Sequence, residues 1–137
     1  MVSEEIICFL RKKGTLEILV EIGHEPQRHT DLREKLLLSS STVHDRLKAG
    51  IQHGVWEQRL QEQPDGLSKK VYGLTGLGRQ IRDIAQDENL QRAHIAKRQV
   101  VRQATAKEDA VIQSLETDQA NRDKANLEHD PQAGIGD

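Results

Sequence analysis

Residues 37–77 carry the strongest structural signal in the chain and read LLSSSTVHDRLKAGIQHGVWEQRLQEQPDGLSKKVYGLTGL. Ser39 or Ser40 is a good N-cap, because a serine hydroxyl accepts from the free N–H groups of the first helical turn. Gly54 is a natural stop, since glycine readily adopts the left-handed conformation that ends many helices. The segment therefore begins with a predicted helix that ends at Gly54.

A β-hairpin is predicted to follow that helix. Residues 55–61 read as a strand, Pro64-Asp65-Gly66 has turn chemistry, and residues 68–74 read as the returning strand. Trp56 and Tyr72, one on each strand, are expected to form a cross-strand pair that holds the ribbon's shape.

Helices are predicted on both sides of this unit. Before it, Thr15 and Thr30 are each placed to cap a helix. After it, Thr75 is placed to cap a helix with one apolar row, formed by Leu77, Ile81 and Ile84. The predicted fold is mainly α with a small β-hairpin, in the order helix, helix, helix, hairpin, helix.

The two sides of the helix that ends at Gly54 differ in chemistry. At about 100° per residue, one row is predicted to be buried, formed by Val43, Leu47 and Ile51. The opposite side carries small and polar residues, namely Ser41, Thr42, Asp45, Lys48, Ala49 and Gln52, with Arg46 at one flank. Small residues permit close approach to a DNA groove, and hydroxyl, Arg, Lys and Gln side chains bind phosphates or base edges.

Asp45 and His44, on the same helix, differ from their neighbours in the contacts that we expect them to make. Asp45 is repelled by phosphates unless it pairs with Arg46 or Lys48, or accepts from a cytosine amine. His44 lies about 60° from the buried row and is expected at its boundary, where it bonds locally or touches a phosphate.

The hairpin offers a second basic surface. Arg59 lies on its first strand, and Lys69 and Lys70 come just after the turn, where a ribbon tip reaches the DNA backbone or minor groove. For the two lysines the alternative is a solvated tip that contacts nothing.

Three pieces of the chain resemble the winged helix-turn-helix regulators of bacteria and archaea, of the MarR, HxlR and PadR kind. Residues 38–48 are similar to their recognition-helix segment, Gly54-Val55 to their entry into the wing, and residues 72–79 to the return into the next helix. The resemblance covers roughly residues 14–85 and implies a winged helix-turn-helix domain that binds DNA.

Gly50 departs from the pattern of these families, which usually carry a large aliphatic residue there. Glycine in a helix interior costs about 1 kcal/mol relative to alanine. Either Ile51 takes over the core position or the helix bends at Gly50. The contacts expected beyond Lys48 depend on which of the two occurs.

Charge is distributed unevenly along the chain, although the net charge is only -2. Residues 1–85 carry 13 Lys and Arg against 12 Asp and Glu. Residues 90–107 carry five basic residues and no acid, and residues 108–137 carry eight acids against two basic residues. A basic segment is therefore followed by an acidic one.

Three segments are predicted from these patterns. Residues 1–86 form the winged helix-turn-helix domain, residues 87–116 a helical extension that mediates dimerisation, and residues 117–137 a disordered acidic tail. The extension has one helical stripe, formed by Leu90, Ala93, Val100, Val101, Ala104, Val111 and Leu115. Since residues 79–130 contain no proline or glycine, only a kink near residues 87–89 is expected to interrupt it.

Several other functions find no support in the sequence. Cys8 is the single cysteine, so an intramolecular disulfide is excluded, and it is interpreted as a small core residue. No two of the six histidines form an i, i+4 pair, and no nucleophile motif or phosphate-binding glycine loop is present. We therefore expect no enzymatic activity, no cofactor and no metal site. No run approaches the roughly 20 apolar residues that span a bilayer, so a cytoplasmic protein is expected.

The sequence leads to the hypothesis of a transcriptional regulator that binds duplex DNA sequence-specifically as a homodimer at promoters. The dimer contact is expected in the C-terminal helix, because one short recognition helix reads too few base pairs for useful specificity. The alternative is a winged-helix protein-interaction module within a larger assembly, which Asp45 and the acidic tail favour. The residues predicted to contact DNA are Ser40, Ser41, Thr42, His44, Asp45, Arg46, Lys48, Arg59, Lys69 and Lys70.

Overall fold

The computed structural model describes residues 2–128. Within this part of the chain the elements are α1 Glu4–Arg11, α2 Thr15–His24, α3 His29–Lys35, α4 Ser40–Gln52, β1 Trp56–Glu62, β2 Ser68–Leu74, α5 Gly76–Asp87 and α6 Leu90–Glu128. Strands β1 and β2 form an antiparallel two-stranded sheet. This order confirms the predicted class: a mainly α winged helix-turn-helix with one hairpin and a long final helix.

One apolar core holds the first five helices and the hairpin together. Its residues include Phe9, Ile18, Leu19, Leu32, Val43, Leu47, Val55, Trp56, Leu74 and Ile81. Val43 and Leu47 are buried as the row on α4 predicts. Burying these side chains is the main favourable contribution to folding, at about 25 cal/mol per Å² of apolar surface.

Trp56 belongs to this core and not to a cross-strand pair. The register places Trp56 opposite Leu74, whereas Tyr72 lies opposite Gln58, so the predicted Trp56–Tyr72 pair is wrong. The indole is 1% exposed and its Nε1 donates to the carbonyl of Leu47 at 2.9 Å. It contacts Phe9 edge to face, with ring centroids 5.6 Å apart. The first residue of β1 therefore faces inward.

Gly50 makes room for that indole. Gly50 is buried in α4, and a Cβ at this position would overlap the indole ring of Trp56. Ile51 is 40% exposed, so it does not take over the core position and its predicted place in the buried row is wrong. The large core side chain comes from the adjoining strand instead.

Two of the four predicted helix caps are confirmed. The hydroxyls of Ser39 and Thr75 each accept from a backbone N–H three residues later, at 3.1 and 3.2 Å. Thr15 is instead the first residue of α2, and its buried hydroxyl has no hydrogen-bond partner among the described residues. Thr30 lies inside α3, where the carboxylate of Asp31 accepts from the backbone N–H just before the helix, at 3.0 Å. An acidic side chain therefore replaces the expected hydroxyl.

Cys8 is exposed on α1, so its interpretation as a core residue is wrong. Its neighbour Phe9 is 2% exposed and supplies the buried side chain of this helix. One helical position is about 100° of rotation, which is enough to separate a core residue from a surface one.

Helix α6 is longer than predicted. Asn89 has a φ of 54°, so the predicted kink is a full interruption between α5 and α6. The helix then continues past Glu116, the predicted end of order, to Glu128, because no proline or glycine stops it. The rest of the predicted tail, residues 129–137, lies outside the described residues. None of the described helices is long and apolar enough to cross a membrane.

The domain boundary predicted at residue 86 stays a prediction. The chain divides into two compact units, and the first of them ends at Arg98. Its guanidinium is 8% exposed and forms ion pairs with Glu17 at 3.3 Å and Glu21 at 3.1 Å, both on α2. These contacts place the first residues of α6 in the same unit as the winged domain.

Removing this guanidinium should destabilise the fold. We expect Arg98→Ala to lower the free energy of unfolding by about 2 kcal/mol, because it leaves the buried carboxylate of Glu21 without its partner. Urea denaturation monitored by circular dichroism measures the change. Arg92→Ala, at an exposed position of the same helix, should stay within about 0.5 kcal/mol of the parent. Equal effects of the two variants would show that the ion pairs contribute nothing.

His94 lies one turn before Arg98 and is half-buried. Burial lowers its pKa, and the nearby carboxylate of Glu17 only partly opposes this. Lys97 and Arg98 lower the pKa further, while Glu21 raises it. The charged imidazolium is therefore disfavoured in the folded protein.

Because the pKa of His94 is lowered in the folded protein, the free energy of unfolding should depend on pH, and the direction of the pKa shift sets the sign of that dependence. The unfolded chain binds a proton on His94 at about pH 6.5, whereas the folded protein binds it only at lower pH. Stability should be full above about pH 6.5 and fall as the pH drops toward the folded pKa. Denaturation midpoints at about pH 7.5 and pH 5.5 should therefore differ less in His94→Gln than in the parent. Gln99→Ala, at an exposed position of the same helix that carries no titratable group, should leave the difference unchanged.

Candidate nucleic-acid interface

An open groove of about 1020 Å³ separates the first turns of α3 and α4 from the wing, which is the β1–β2 hairpin. Nine residues line it: Arg28, His29, Thr30, Ser40, Ser41, His44, Lys69, Lys70 and Tyr72. Three of these side chains are permanently positive: Arg28 is paired with the carboxylate of Asp31, whereas Lys69 and Lys70 form no ion pair within residues 2–128. The groove therefore has the charge and polarity that suit a phosphate backbone.

The first turn of α4 presents hydroxyls at one edge of the groove. Ser40 and Ser41 are exposed, and the helix behind them is 13 residues long. The Ser39 hydroxyl donates to Oγ1 of Thr42 at 2.8 Å, which occupies an acceptor site of that threonine. The same Ser39 hydroxyl lies 3.3 Å from Oγ of Ser41. Because Ser40 and Ser41 are exposed and Thr42 is half-buried, the two serines are better placed than Thr42 to meet a ligand. The positive end of the helix dipole lies here as well and favours an anion.

Gln27 fixes the distance across the groove. Its backbone N–H donates to the carbonyl of Tyr72 at 3.1 Å, and the N–H of Tyr72 donates back at 2.8 Å. The side-chain amide, in a residue only 1% exposed, donates to the carbonyl of Glu25 and accepts from Lys35, both at 3.1 Å. Strand β2 of the wing is thus joined to the segment that enters α3.

The residues after Gln27 order the α3 edge of the groove. The guanidinium of Arg28 donates to both carboxylate oxygens of Asp31, at 3.0 and 3.2 Å. Hydrogen bonds from Arg28 hold the pKa of the Asp31 carboxyl below its usual range, although burial opposes this. His29 Nε2 donates to the carbonyl of Ser40 at 3.4 Å, which joins α3 to the start of α4.

The structure places half of the ten predicted contact residues in this one groove. These are Ser40, Ser41, His44, Lys69 and Lys70. Asp45 and Lys48 are exposed further along α4. Within residues 2–128, Asp45 forms no ion pair with Arg46 or Lys48, so the internal neutralisation considered for it is absent.

Arg46 points away from the groove. Its Nε donates to the carbonyl of Lys13, in the loop between α1 and α2, at 3.0 Å. It lies about 160° around α4 from His44 and is half-exposed. A contact between Arg46 and DNA stays a prediction, and it would lie on the other flank of the helix.

Arg59 is engaged within the wing itself. Its Nη2 donates to the carbonyl of Leu74 at 2.9 Å, and its guanidinium pairs with the carboxylate of Glu57, also at 2.9 Å. The side chain lies over Gly73, where a Cβ would come within 2.5 Å of its Nη1. Arg59 therefore stabilises the hairpin and does not line the groove.

Four groove residues were missed from the sequence: Arg28, His29, Thr30 and Tyr72. The sequence predicts only structural roles for their segments, since Thr30 is expected to cap a helix and Tyr72 to pair across the hairpin. The available signal is the basic run Arg28-His29, directly before the predicted helix that precedes the recognition helix. Within the described residues, no three His, Cys, Asp or Glu side chains come together as a metal site would require.

Solved structures with this arrangement are transcriptional regulators. The reduced form of the regulator YodB from B. subtilis is 22% identical over 64% of this chain and 84% of that one, with a TM-score of 0.55. A possible HxlR-family transcriptional factor from Thermoplasma volcanium GSS1 is 26% identical over 68% and 82%, with a TM-score of 0.52. A MarR-family regulator from Porphyromonas gingivalis W83 is 21% identical over 62% and 82%, with a TM-score of 0.53.

These similarities confirm the winged helix-turn-helix fold of the regulators that the sequence resembles. No protein-family model matches the sequence, and no curated protein matches it.

Proposed function

We propose that this protein is a transcriptional regulator that binds duplex DNA sequence-specifically as a homodimer at promoters. The observation that carries the proposal is the groove between α3, α4 and the wing, which is lined by two lysines, Lys69 and Lys70, that form no ion pair within residues 2–128. It adjoins the exposed, small-residue start of α4. The proposal implies a cytoplasmic protein without catalytic activity.

In this proposal α4 enters the major groove. Ser41, Asp45 and Lys48 lie on its exposed side and are the candidates for base and phosphate contacts. An exposed carboxylate in this position can accept from a cytosine amine. Lys69 and Lys70 then meet the phosphate backbone beside the helix.

The regulator class is supported by the solved structures of similar fold, which are transcriptional regulators. The homodimer is supported by a physical argument. A single recognition helix reads only a few base pairs, and two copies read two half-sites about 34 Å apart on one face of the duplex. Helix α6 is the proposed dimer contact, because its exposed apolar residues have no partner within the described chain.

Selection of bound sequences from random duplex DNA tests the proposal. An inverted repeat with half-sites about one helical turn apart is the expected outcome. Affinity should fall steeply with salt, at about 0.9 logarithmic units per phosphate contact for each tenfold rise. Failure to bind any duplex at low salt, or an affinity independent of salt, would contradict the proposal. In that case a protein ligand bound by the same surface would be the better interpretation.

A further inference from the structure

The part of α6 that follows Arg98 is exposed along its described length. Every residue from 99 to 127 is exposed. The exposed fractions of Val100, Val111 and Leu115 reach 64%, 60% and 63%. Helices isolated in water are marginal, and most helical stability comes from packing an apolar face. A helix about 58 Å long therefore needs a surface that covers this face.

The apolar residues lie on one strip of the helix. At about 100° per residue, Val100, Ala104, Val111 and Leu115 fall within about 60° of one another. Val101 and Ile112 lie at the edge of the strip and are 40% and 54% exposed. The strip is wide enough to seat one second helix.

Charges of opposite sign occupy the two ends of the same strip. Lys97 falls within it and Lys107 at its edge, whereas Glu108 falls at the other edge and Asp118 within it. From residue 97 to residue 118 the sign changes once, between residues 107 and 108. One turn beyond Asp118 the basic Arg122 also falls within the strip. Over a longer stretch, residues 90–107 carry five basic residues and no acid, and residues 108–128 carry six acids against two basic residues.

The apolar pattern has the same centre as the charge pattern. Val100 and Leu115 are equally far from the boundary between residues 107 and 108, and so are Ala104 and Val111. A strip whose apolar residues are symmetric about a point, and whose charges invert there, is self-complementary. Such a surface fits an isologous interface, in which one patch meets a second copy of itself.

We propose that α6 pairs antiparallel with α6 of a second copy, with the two-fold axis passing between residues 107 and 108. This inference rests on the proposed homodimer and specifies its geometry. Val100 then packs on Leu115 of the partner subunit, and Lys97 faces Asp118 of the partner subunit. A parallel pair would place each charge opposite its own copy, and like charges repel.

Charge reversal separates these geometries. Lys97→Glu with Lys107→Glu gives an acidic chain, and Glu108→Lys with Asp118→Lys gives a basic one. We expect each chain alone to dimerise at least tenfold more weakly than the parent in about 0.1 M salt, where surface charges are not fully screened. An equimolar mixture of the two should form heterodimers, as measured by native mass spectrometry. All four positions are exposed, so circular dichroism should show unchanged helix content.

The chain with all four reversals identifies the direction. In an antiparallel pair it should dimerise with itself and avoid the parent, because its basic half would face the parent's basic half. In a parallel pair it should prefer the parent. Preference for the parent, or wild-type dimerisation of either double variant, overturns the proposal.

Spin labels give a second readout that does not depend on charge. In a Cys8→Ser background, labels at Gln99 should lie about 25 Å apart along the helix axis, and labels at Ala106 should lie about 5 Å apart along it. Equal distances at both positions indicate a parallel pair and overturn the inference. A monomer at every concentration overturns the homodimer as well, whereas DNA binding is measured separately and stands or fails by itself.

Discussion

Lys69→Glu combined with Lys70→Glu is expected to weaken duplex binding about 100-fold or more at physiological salt, because two phosphate-binding cations become repelling anions. Both lysines line the groove beside α4. The slope of affinity against salt should fall by about two, one for each lost phosphate contact. Fluorescence anisotropy of the selected duplex across a salt series measures both quantities.

A matched variant removes the effect of net charge. Arg92→Glu with Lys124→Glu changes the charge of the chain by the same amount, at exposed positions of α6 that lie outside its apolar strip. It should leave affinity within about threefold of the parent, since distant surface charges are largely screened. If both pairs weaken binding equally, the protein meets DNA through its overall charge and the groove has no special role.

Gly50→Leu should produce the largest loss of stability, about 3 kcal/mol or more, because the new side chain must occupy the volume that the indole of Trp56 fills. The indole cannot move aside without giving up its hydrogen bond to the carbonyl of Leu47 and its contact with Phe9. The midpoint of thermal or urea unfolding measures the change.

Two comparisons make the origin of that loss specific. Gly50→Ala should also destabilise, whereas Gly76→Ala, whose added Cβ meets nothing closer than 4.0 Å, should be neutral or stabilise by up to about 1 kcal/mol. Adding Trp56→Val to Gly50→Leu should recover part of the loss, because the helix then supplies the volume that the strand gives up. Additive losses in the double variant would show that the two positions do not share one space.

Local pattern was enough to predict much of the fold. The hydroxyl caps at Ser39 and Thr75 and the buried row Val43 and Leu47 all depend on neighbours within one or two helical turns. Trp56 was misplaced because its position depends on a glycine in a different element, which local pattern does not reveal.

Contacts between distant segments account for the rest. Arg98 binds carboxylates 77 and 81 positions earlier in the chain, and this joins the start of α6 to α2. Spacing along a sequence carries no information about such pairs, because the fold brings them together.

The candidate site also contains residues that local pattern identifies and residues whose role depends on contacts with distant segments. Lys69 and Lys70 follow a recognisable turn, and Ser40 and Ser41 follow a recognisable cap, so each pair is identified from adjacent patterns. The groove that the two pairs share depends on how the fold places the wing beside α4. Arg46 and Arg59 have equally basic side chains but donate to backbone carbonyls of other segments. A guanidinium that donates to backbone carbonyls within the protein cannot be distinguished from one that is available to a ligand until the positions of those carbonyls are known.

The paired backbone hydrogen bonds between Gln27 and Tyr72 have a consequence for control of binding. They hold the wing and the helix-turn-helix in one rigid surface, so little conformational entropy remains to be lost when this surface binds DNA. A surface with few internal degrees of freedom gives a signal little means of changing its affinity directly. In the proposed dimer, affinity would therefore be controlled by the distance between the two DNA-binding surfaces.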